Sequence, residues 1–295
     1  MPARNAELFI ERAIESTLSA MPRDAELIVL DDASEDRTAE RALRAARGDS
    51  RMRLLSSEGR GLGVAGGLNK LLGSSDSKFI ARMDADDVCL PWRFRMQRRR
   101  MERSDFTFSS VIRIDGRGWP VIGSPFPQSM GATVVPLALL LGNVLVHPTM
   151  YATRSAIIES GGYRESASED YDLWLRVAAS SLRIEMVPIP SLLYRTHPGQ
   201  LSNTPSWRAV SADSILLESF VGLAHTRLGV TLTPRRTTGW SGAGLSRFFP
   251  ETELEKFWES FVREERELAP LDRLLLGARR RKRHRILKST AVSNE

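Results

Sequence analysis

The 295-residue sequence predicts an α/β fold, a mostly parallel sheet flanked by helices and followed by a C-terminal helical appendage, and three observations predict it. Helix and strand patterns alternate from Asn5 to Asp84. Two groups of aspartates, Asp31–Asp32 and Asp84, Asp86 and Asp87, stand where strands end. Beyond Trp207 strand signals stop, which divides the chain into residues 1–206 and a helical extension, 207–295, that ends in a basic tail.

The elements follow in order. Asn5 is placed to cap "AELFIERAIESTLSA", where Ile10, Ala13, Ile14 and Leu18 recur at helical spacing. "ELIVLDD" then reads as a buried strand running into acids, and Ser34 is placed to cap the helix "SEDRTAERALRAAR". "MRLLSS" is a short strand, "GVAGGLNKLLG" a helix closed by Gly73, and "KFIARMD" another strand. Strands separated by single helices predict parallel pairing with helices on both faces. A basic helix follows Pro91, "TFSSVIRIDG" reads as a strand, and an apolar helix lies near Val134 to Leu141. In "SEDYDLWLRVAAS" Ser168 takes the cap position and Leu173, Trp174 and Val177 share a face.

Composition excludes several classes. At 42% hydrophobic and 26% charged the chain has the balance of a globular protein with a sizeable core. Cys89 is the one cysteine, so no internal disulfide forms, and a reducing compartment fits. The longest apolar run, Val134 to Val146, is 13 residues and is interrupted by proline, glycine and asparagine, too short to cross a bilayer. The N-terminus shows no export signal, so a cytoplasmic place is expected. The net charge is +6 and the pI about 9.9, yet six of the seven residues in "RRRKRHR", 279–285, are basic and equal the whole excess. The rest sums to about zero, which argues against a nucleic-acid partner; the tail suits an anionic membrane surface or is a solvated end.

Three aspartates within four residues repel one another unless water screens them on a turn or a cation sits among them. In parallel sheets ligands bind at the carboxyl ends of strands, and both acidic groups fall at such ends. One competing motif is present. "GLGVAG", 61–66, satisfies the dinucleotide fingerprint, with Asp84 about 20 residues on, and reads as an NAD(P)-dependent dehydrogenase. That reading leaves "DDASEDRT", Asp86, Asp87 and "SEDYDLW" without a role.

Four pieces stand in order: "PARN" at 2–5, "DDASEDRT" at 31–38, "ARMDADDVCLP" at 81–91 and "GGYRESASEDYDLWLR" at 161–176. Together they resemble the family 2 glycosyltransferases of the Rossmann-like GT-A fold, over about residues 2–202. The resemblance implies an inverting, nucleotide-sugar-dependent enzyme that moves a sugar to an acceptor hydroxyl with Mg²⁺ or Mn²⁺, in cell-surface polysaccharide or glycolipid synthesis. Hard cations of this kind take carboxylate oxygens and offset charge developing on a leaving diphosphate. Carried over residue by residue, it makes Asp86 the metal ligand, with His197 from "YRTHPGQLS" as a further one. Asp84 contacts ribose or a metal-bound water, and Asp87 is less defined. Pro2, Asn5, Asp31, Asp32, Arg60 and Arg195 become nucleotide-sugar contacts, Asp31 being favoured over Asp32 for the nucleoside while the other caps the loop. Asp170 becomes the general base, with Asp172 second to it and N-terminal helix capping as the plain alternative. His147 is left to packing. The implied partners are a nucleotide-sugar donor and a glycan or lipid-linked acceptor, with the enzyme peripheral at the inner face of the plasma membrane through 279–285.

The sequence departs from the family at its start. An apolar strand there runs into the Pro-x-x-Asn segment, whereas here Met1 directly precedes Pro2. The first strand is expected to be missing: either the start lies upstream or another segment fills the slot, and if neither holds, unpaired backbone and lost apolar burial lower stability and make a catalytically inactive sugar-nucleotide binder the alternative.

Overall fold

The structure is a computed structural model that describes residues 1–121, 129–166, 168–200, 214–235, 245 and 248–292, with side chains as far as residue 281. Two compact units divide the chain: residues 1–129, 145–165 and 184–198 form one, and 130–144, 166–183 and 199–295 the other. The boundary expected between residues 206 and 207 lies outside the described residues.

In the first unit the apolar periods become elements largely where the sequence puts them. Strands β1 (Pro2–Ala3), β2 (Leu27–Asp31) and β3 (Met52–Ser56) pair in parallel in the order β1-β2-β3. Helices α1 (Ile10–Ala20), α2 (Thr38–Ala46) and α3 (Gly63–Gly73) connect them and lead on. Ile10, Ala13, Ile14 and Leu18 of α1 are buried against Leu27 and Val29, and each such large apolar side chain contributes about 1.5–3 kcal/mol by leaving water. The first strand is a two-residue stub.

A second, five-stranded sheet has the order β4-β7-β6-β8-β5, built from β4 (Phe79–Ala81), β5 (Val88–Cys89), β6 (Phe106–Asp115), β7 (Tyr151–Thr153) and β8 (Ile184–Thr196). Only β6 and β8 pair in parallel there; the other pairs are antiparallel. Helix α4 is Arg93–Arg98, a 3₁₀ turn covers His147–Thr149, and α6 is Arg154–Glu159. The longest strand, β8, has no strand signal in the sequence because Pro188 and Pro190 interrupt it. The ladder tolerates them through a register shift, with Ser109 opposite Val187 and Ser110 opposite Pro190, so that Pro188 and Ile189 stand out of the pairing.

The second unit is helical throughout its described residues: α5 (Val134–Leu139), α7 (Glu169–Ala179), α8 (Ser214–Leu228), α9 (Glu251–Arg266) and α10 (Pro270–Val292). Trp174, Phe220, Phe257 and Phe261 are fully buried or nearly so, and Phe220 stacks on Phe249 at 6.1 Å between centroids. Tyr171 donates its hydroxyl to Leu139 O at 2.5 Å, which ties α7 to α5.

Candidate active site

Strand β4 points the chain into the acid cluster. Asp84, Asp86 and Asp87 each offer a carboxylate oxygen, and these oxygens lie within 4.8 Å of one another. Arg82, itself buried, makes an ion pair with Asp84. The pairing of β5 with β8, Val88 opposite Leu193, carries the segment before β5 past Tyr194 and Arg195. Asp87 consequently accepts the Arg195 amide at 2.8 Å through Oδ1, while its buried Oδ2 has no hydrogen-bond partner. Burial and the neighbouring Asp84 and Asp86 push the Asp87 carboxyl well above the usual carboxylate range. Asp86 is raised too, by burial first and then by Asp84, although its Oδ2 lies 3.1 Å from His197 Nε2. The same acids, after burial, push the Tyr194 hydroxyl up to about 12 and keep it a donor.

A hard divalent cation fits this donor set. Three converging carboxylates, one carrying a buried orphan oxygen, offer the hard oxygen donors such an ion takes. Asp84, Asp86 and Asp87 would hold such an ion, with His197 at hydrogen-bond distance from one of them.

Arg195 enters the cluster differently from the sequence-based expectation. Its Nε donates to Asp86 O at 2.8 Å, its Nη1 reaches Asp115 O and Gly116 O at 3.2 and 3.3 Å, and its guanidinium lies 4.8 Å from the Phe9 ring centroid. Much of it is thus spent on holding the Asp86 peptide and the turn after β6. Phe9 also packs on His197, with centroids 4.8 Å apart. Sequence reasoning missed Phe9, which lay inside what read as a helix.

The first acid pair divides its roles. Asp32 is buried and accepts the amides of Leu62 at 2.7 Å and Gly63 at 3.1 Å, which makes it the cap of α3. Asp31 is half-buried and accepts the Ser34 amide at 3.3 Å. The dehydrogenase reading fails on the same contacts: the helix N-terminus where a pyrophosphate would sit already holds a carboxylate.

Pro2 lies in β1 opposite Leu30. Two expected caps are corrected. Helix α1 starts at Ile10, and Asn5, at φ 49°, instead accepts the Glu35 amide at 2.9 Å. Helix α2 starts at Thr38, so Ser34 lies too early to cap it; Ser34 Oγ accepts the Asn5 amide at 3.0 Å, and Asp36 Oδ1 takes the Thr38 amide at 2.9 Å. A short polar side chain satisfies loop amides as readily as helix ones, and the sequence does not say which. Arg60 is exposed on the loop after β3. His147 is buried and hydrogen-bonded to the Tyr163 hydroxyl at 3.0 Å, which agrees with a packing role.

In the second unit Asp170 lies in the first turn of α7, half-buried, and accepts Asn143 Nδ2 at 3.0 Å. Asp172 is fully buried, paired with Arg176 at 2.8 Å and receiving the Ser219 hydroxyl at 2.7 Å, which makes it a packing residue and not a base.

Residues 1–146 match the family model described as Glycosyl transferase family 2. Over 195 residues the chain is 29% identical to an uncharacterized glycosyltransferase of Methanocaldococcus jannaschii, covering 64% of this chain and 66% of that one. Over 203 residues it is 27% identical to the O-antigen biosynthesis glycosyltransferase WbnJ of Escherichia coli, covering 67% and 78%. Among solved structures it is similar to S. aureus TarS 1–349 in complex with UDP-GlcNAc, with a TM-score of 0.62, 17% identity, and 99% of this chain and 89% of that one covered; at that identity the likeness is one of fold. The chain carries a family 2 glycosyltransferase domain of the GT-A fold and belongs with these enzymes.

Proposed function

We propose that the chain transfers a sugar, with inversion, from a nucleoside-diphosphate donor to an acceptor hydroxyl in the synthesis of a cell-surface glycan or its lipid-linked precursor. One observation carries the reading: three carboxylates gathered within 4.8 Å at the end of β4, one with a buried unpartnered oxygen, in a domain of this family. A bound Mg²⁺ or Mn²⁺ supplies charge stabilisation to the departing diphosphate. Asp86, with Asp84 and Asp87, holds the ion, and His197 orients Asp86 or joins it as a ligand. Asp31 and Arg60 receive the nucleoside and diphosphate ends of the donor, while Pro2, Asn5 and Asp32 fix the loops that present them. Arg195 fixes the Asp86 peptide and adds positive potential. Asp170 takes the acceptor proton as general base.

Donor and acceptor classes draw support from a relative. The chain is 36% identical over 108 residues, 37% of its own length, to the Escherichia coli UDP-Glc:alpha-D-GlcNAc-diphosphoundecaprenol beta-1,3-glucosyltransferase WfgD. In this reading a lipid-linked acceptor is met at the membrane surface; among the described residues no helix is long and apolar enough to cross a membrane. Helix α10 offers a device for that: Leu271, Leu274 and Leu275 are exposed at i, i+3 and i+4, ahead of Arg279 to Arg281.

The test is transfer from a panel of UDP-sugars with Mn²⁺, in the parent, Asp86→Asn and Asp170→Asn. Asp170→Asn should lower kcat by about 10²–10⁴-fold and leave donor affinity intact, and Asp86→Asn should abolish the melting shift that Mn²⁺ and UDP produce together. A near-normal rate in Asp170→Asn moves the base elsewhere; a parent inert with every donor, yet shifted by UDP, makes the chain a binder.

A further inference from the structure

Among the described residues the two most exposed large apolar side chains are Leu8, at 75%, and Trp119, at 71%. Both stand beside the acid cluster, on segments far apart in the chain. Leu8 precedes Phe9, whose ring lies 4.8 Å from the His197 ring and 4.8 Å from the Arg195 guanidinium. Trp119 closes the turn after β6, and Arg195 Nη1 holds that turn through Asp115 O and Gly116 O. A Cβ on Gly118 would stand 3.9 Å from the same Nη1, and one on Gly116 would stand 3.6 Å from the His197 Cβ. Leu8 and Trp119 are thus each the chain neighbour of a residue packed against Arg195, whose Nε donates to Asp86 O at 2.8 Å.

The turn that presents Trp119 is held in place by its own hydrogen bonds. Asp115 Oδ1 accepts the amides of Arg117 and Trp119, both at 2.9 Å, and the Asp115 amide donates to Trp119 O at 2.8 Å. Gly118, at φ 93°, takes the left-handed conformation that closes the turn. The Val121 amide then donates to Arg113 O at 2.9 Å, so Trp119, Pro120 and Val121 run back along β6 as a short arm, all three exposed. Three consecutive exposed apolar residues on a fixed arm bury nothing for the fold and mark a contact surface. Their chemistry fits hydrocarbon. A sugar ring is recognised by polar groups around its edge, and the side chains of Leu8, Pro120 and Val121 carry none.

We propose that Leu8 and Trp119, with Val121, form the apolar rim that receives the hydrocarbon chain of a lipid-linked acceptor while its diphosphate-bound sugar enters toward the acid cluster. The inference rests on the transferase reading above and assigns to it the residues that choose the acceptor. A leucine and a tryptophan left in water gain only when apolar surface covers them, so a purely polar acceptor draws nothing from this rim.

The experiment measures binding of the methyl and octyl esters of α-N-acetylglucosaminyl diphosphate to the 295-residue protein, with UDP and Mn²⁺ present and the octyl ester below its micelle concentration. The variants are Leu8→Gln, Trp119→Ala, the two together, and Trp119→Phe. Both positions are exposed, so each variant should melt within about 2 °C of the parent. In the parent the octyl ester should bind about tenfold more tightly than the methyl ester, or better. Leu8→Gln and Trp119→Ala should each cut that ratio about threefold, the double variant should bring it near parity, and Trp119→Phe should keep most of it. Binding of the methyl ester should stay as in the parent throughout. Equal binding of the two esters to the parent overturns the proposal. So does a chain-length preference that survives in the double variant, which places the hydrocarbon elsewhere. The melting shift with UDP and Mn²⁺ is read on the same samples: its absence from the parent fails the transferase reading and the rim with it, whereas its presence with equal binding of the esters fails the rim alone.

Discussion

Asp32 and Asp31 differ by one position and end in different chemistry, because side chains alternate along β2. Asp32 points to the start of α3 and is spent on two amides; Asp31 stays half-exposed at the sheet's rim. Replacing Asp32 by Ala leaves the Leu62 and Gly63 donors without their acceptor and should lower stability by about 1–2 kcal/mol, read as a shift of the urea midpoint at constant slope. The Mn²⁺-dependent melting shift should stay as in the parent. A lost Mn²⁺ response with stability intact would place Asp32 among the ligand contacts instead.

At the scale of elements, α4 looks from its sequence like a basic surface helix, and Arg95 and Arg98 behave that way. Arg93 does not. It is wholly buried and donates to Arg82 O at 2.5 Å, Pro148 O at 2.8 Å and Gln97 Oε1 at 3.2 Å, which clamps the end of β4 to the turn that precedes β7. Burial lowers its pKa, but carbonyl acceptors on several sides keep the guanidinium satisfied. Arg93→Lys retains the charge and loses the planar fork, so a loss of about 2–4 kcal/mol is expected in chemical denaturation; an unchanged midpoint would mean that the clamp carries no stability. For α10, sedimentation with vesicles should show binding to anionic but not to neutral lipid, weakened by Leu271→Gln with Leu274→Gln and by salt. Equal binding to both lipids removes the basic residues from the membrane role, and binding to neither removes the role itself.

For the whole molecule, a free amine at Met1 couples folding to pH. Burial, with Arg82 close by, lowers its pKa from 8.0 to about 4. Between those values the unfolded chain carries a proton there that the folded chain lacks, so stability rises with pH. It is fully present above about pH 8 and lost as pH falls toward 4, with a slope near 1.4 kcal/mol per unit at most. Denaturant titrations from pH 5 to 8 should show that slope in the 295-residue chain and lose it after N-terminal acetylation, which keeps the N–H donor and removes the charge. A slope that survives acetylation assigns it to other groups.

Much of the first unit was legible in the sequence because its information is local. The apolar periods of α1 and β2, the glycine at the end of α3 and the acids at the strand ends each follow from residues a few positions apart, and four short motifs in order were enough to point to the family. Strand β8 escaped because two prolines mask its period and only its partner β6 tolerates them. Arg93 and Phe9 escaped because their partners lie elsewhere in the chain, and the caps expected of Asn5 and Ser34 went to loop amides for the same reason. The amino-acid order determined which residues alternate, where helices stop and which acids adjoin. Tertiary structure alone decided that Asp87 keeps an orphan oxygen and that Arg195 is spent on carbonyls, since each depends on what distant segments bring within hydrogen-bond reach.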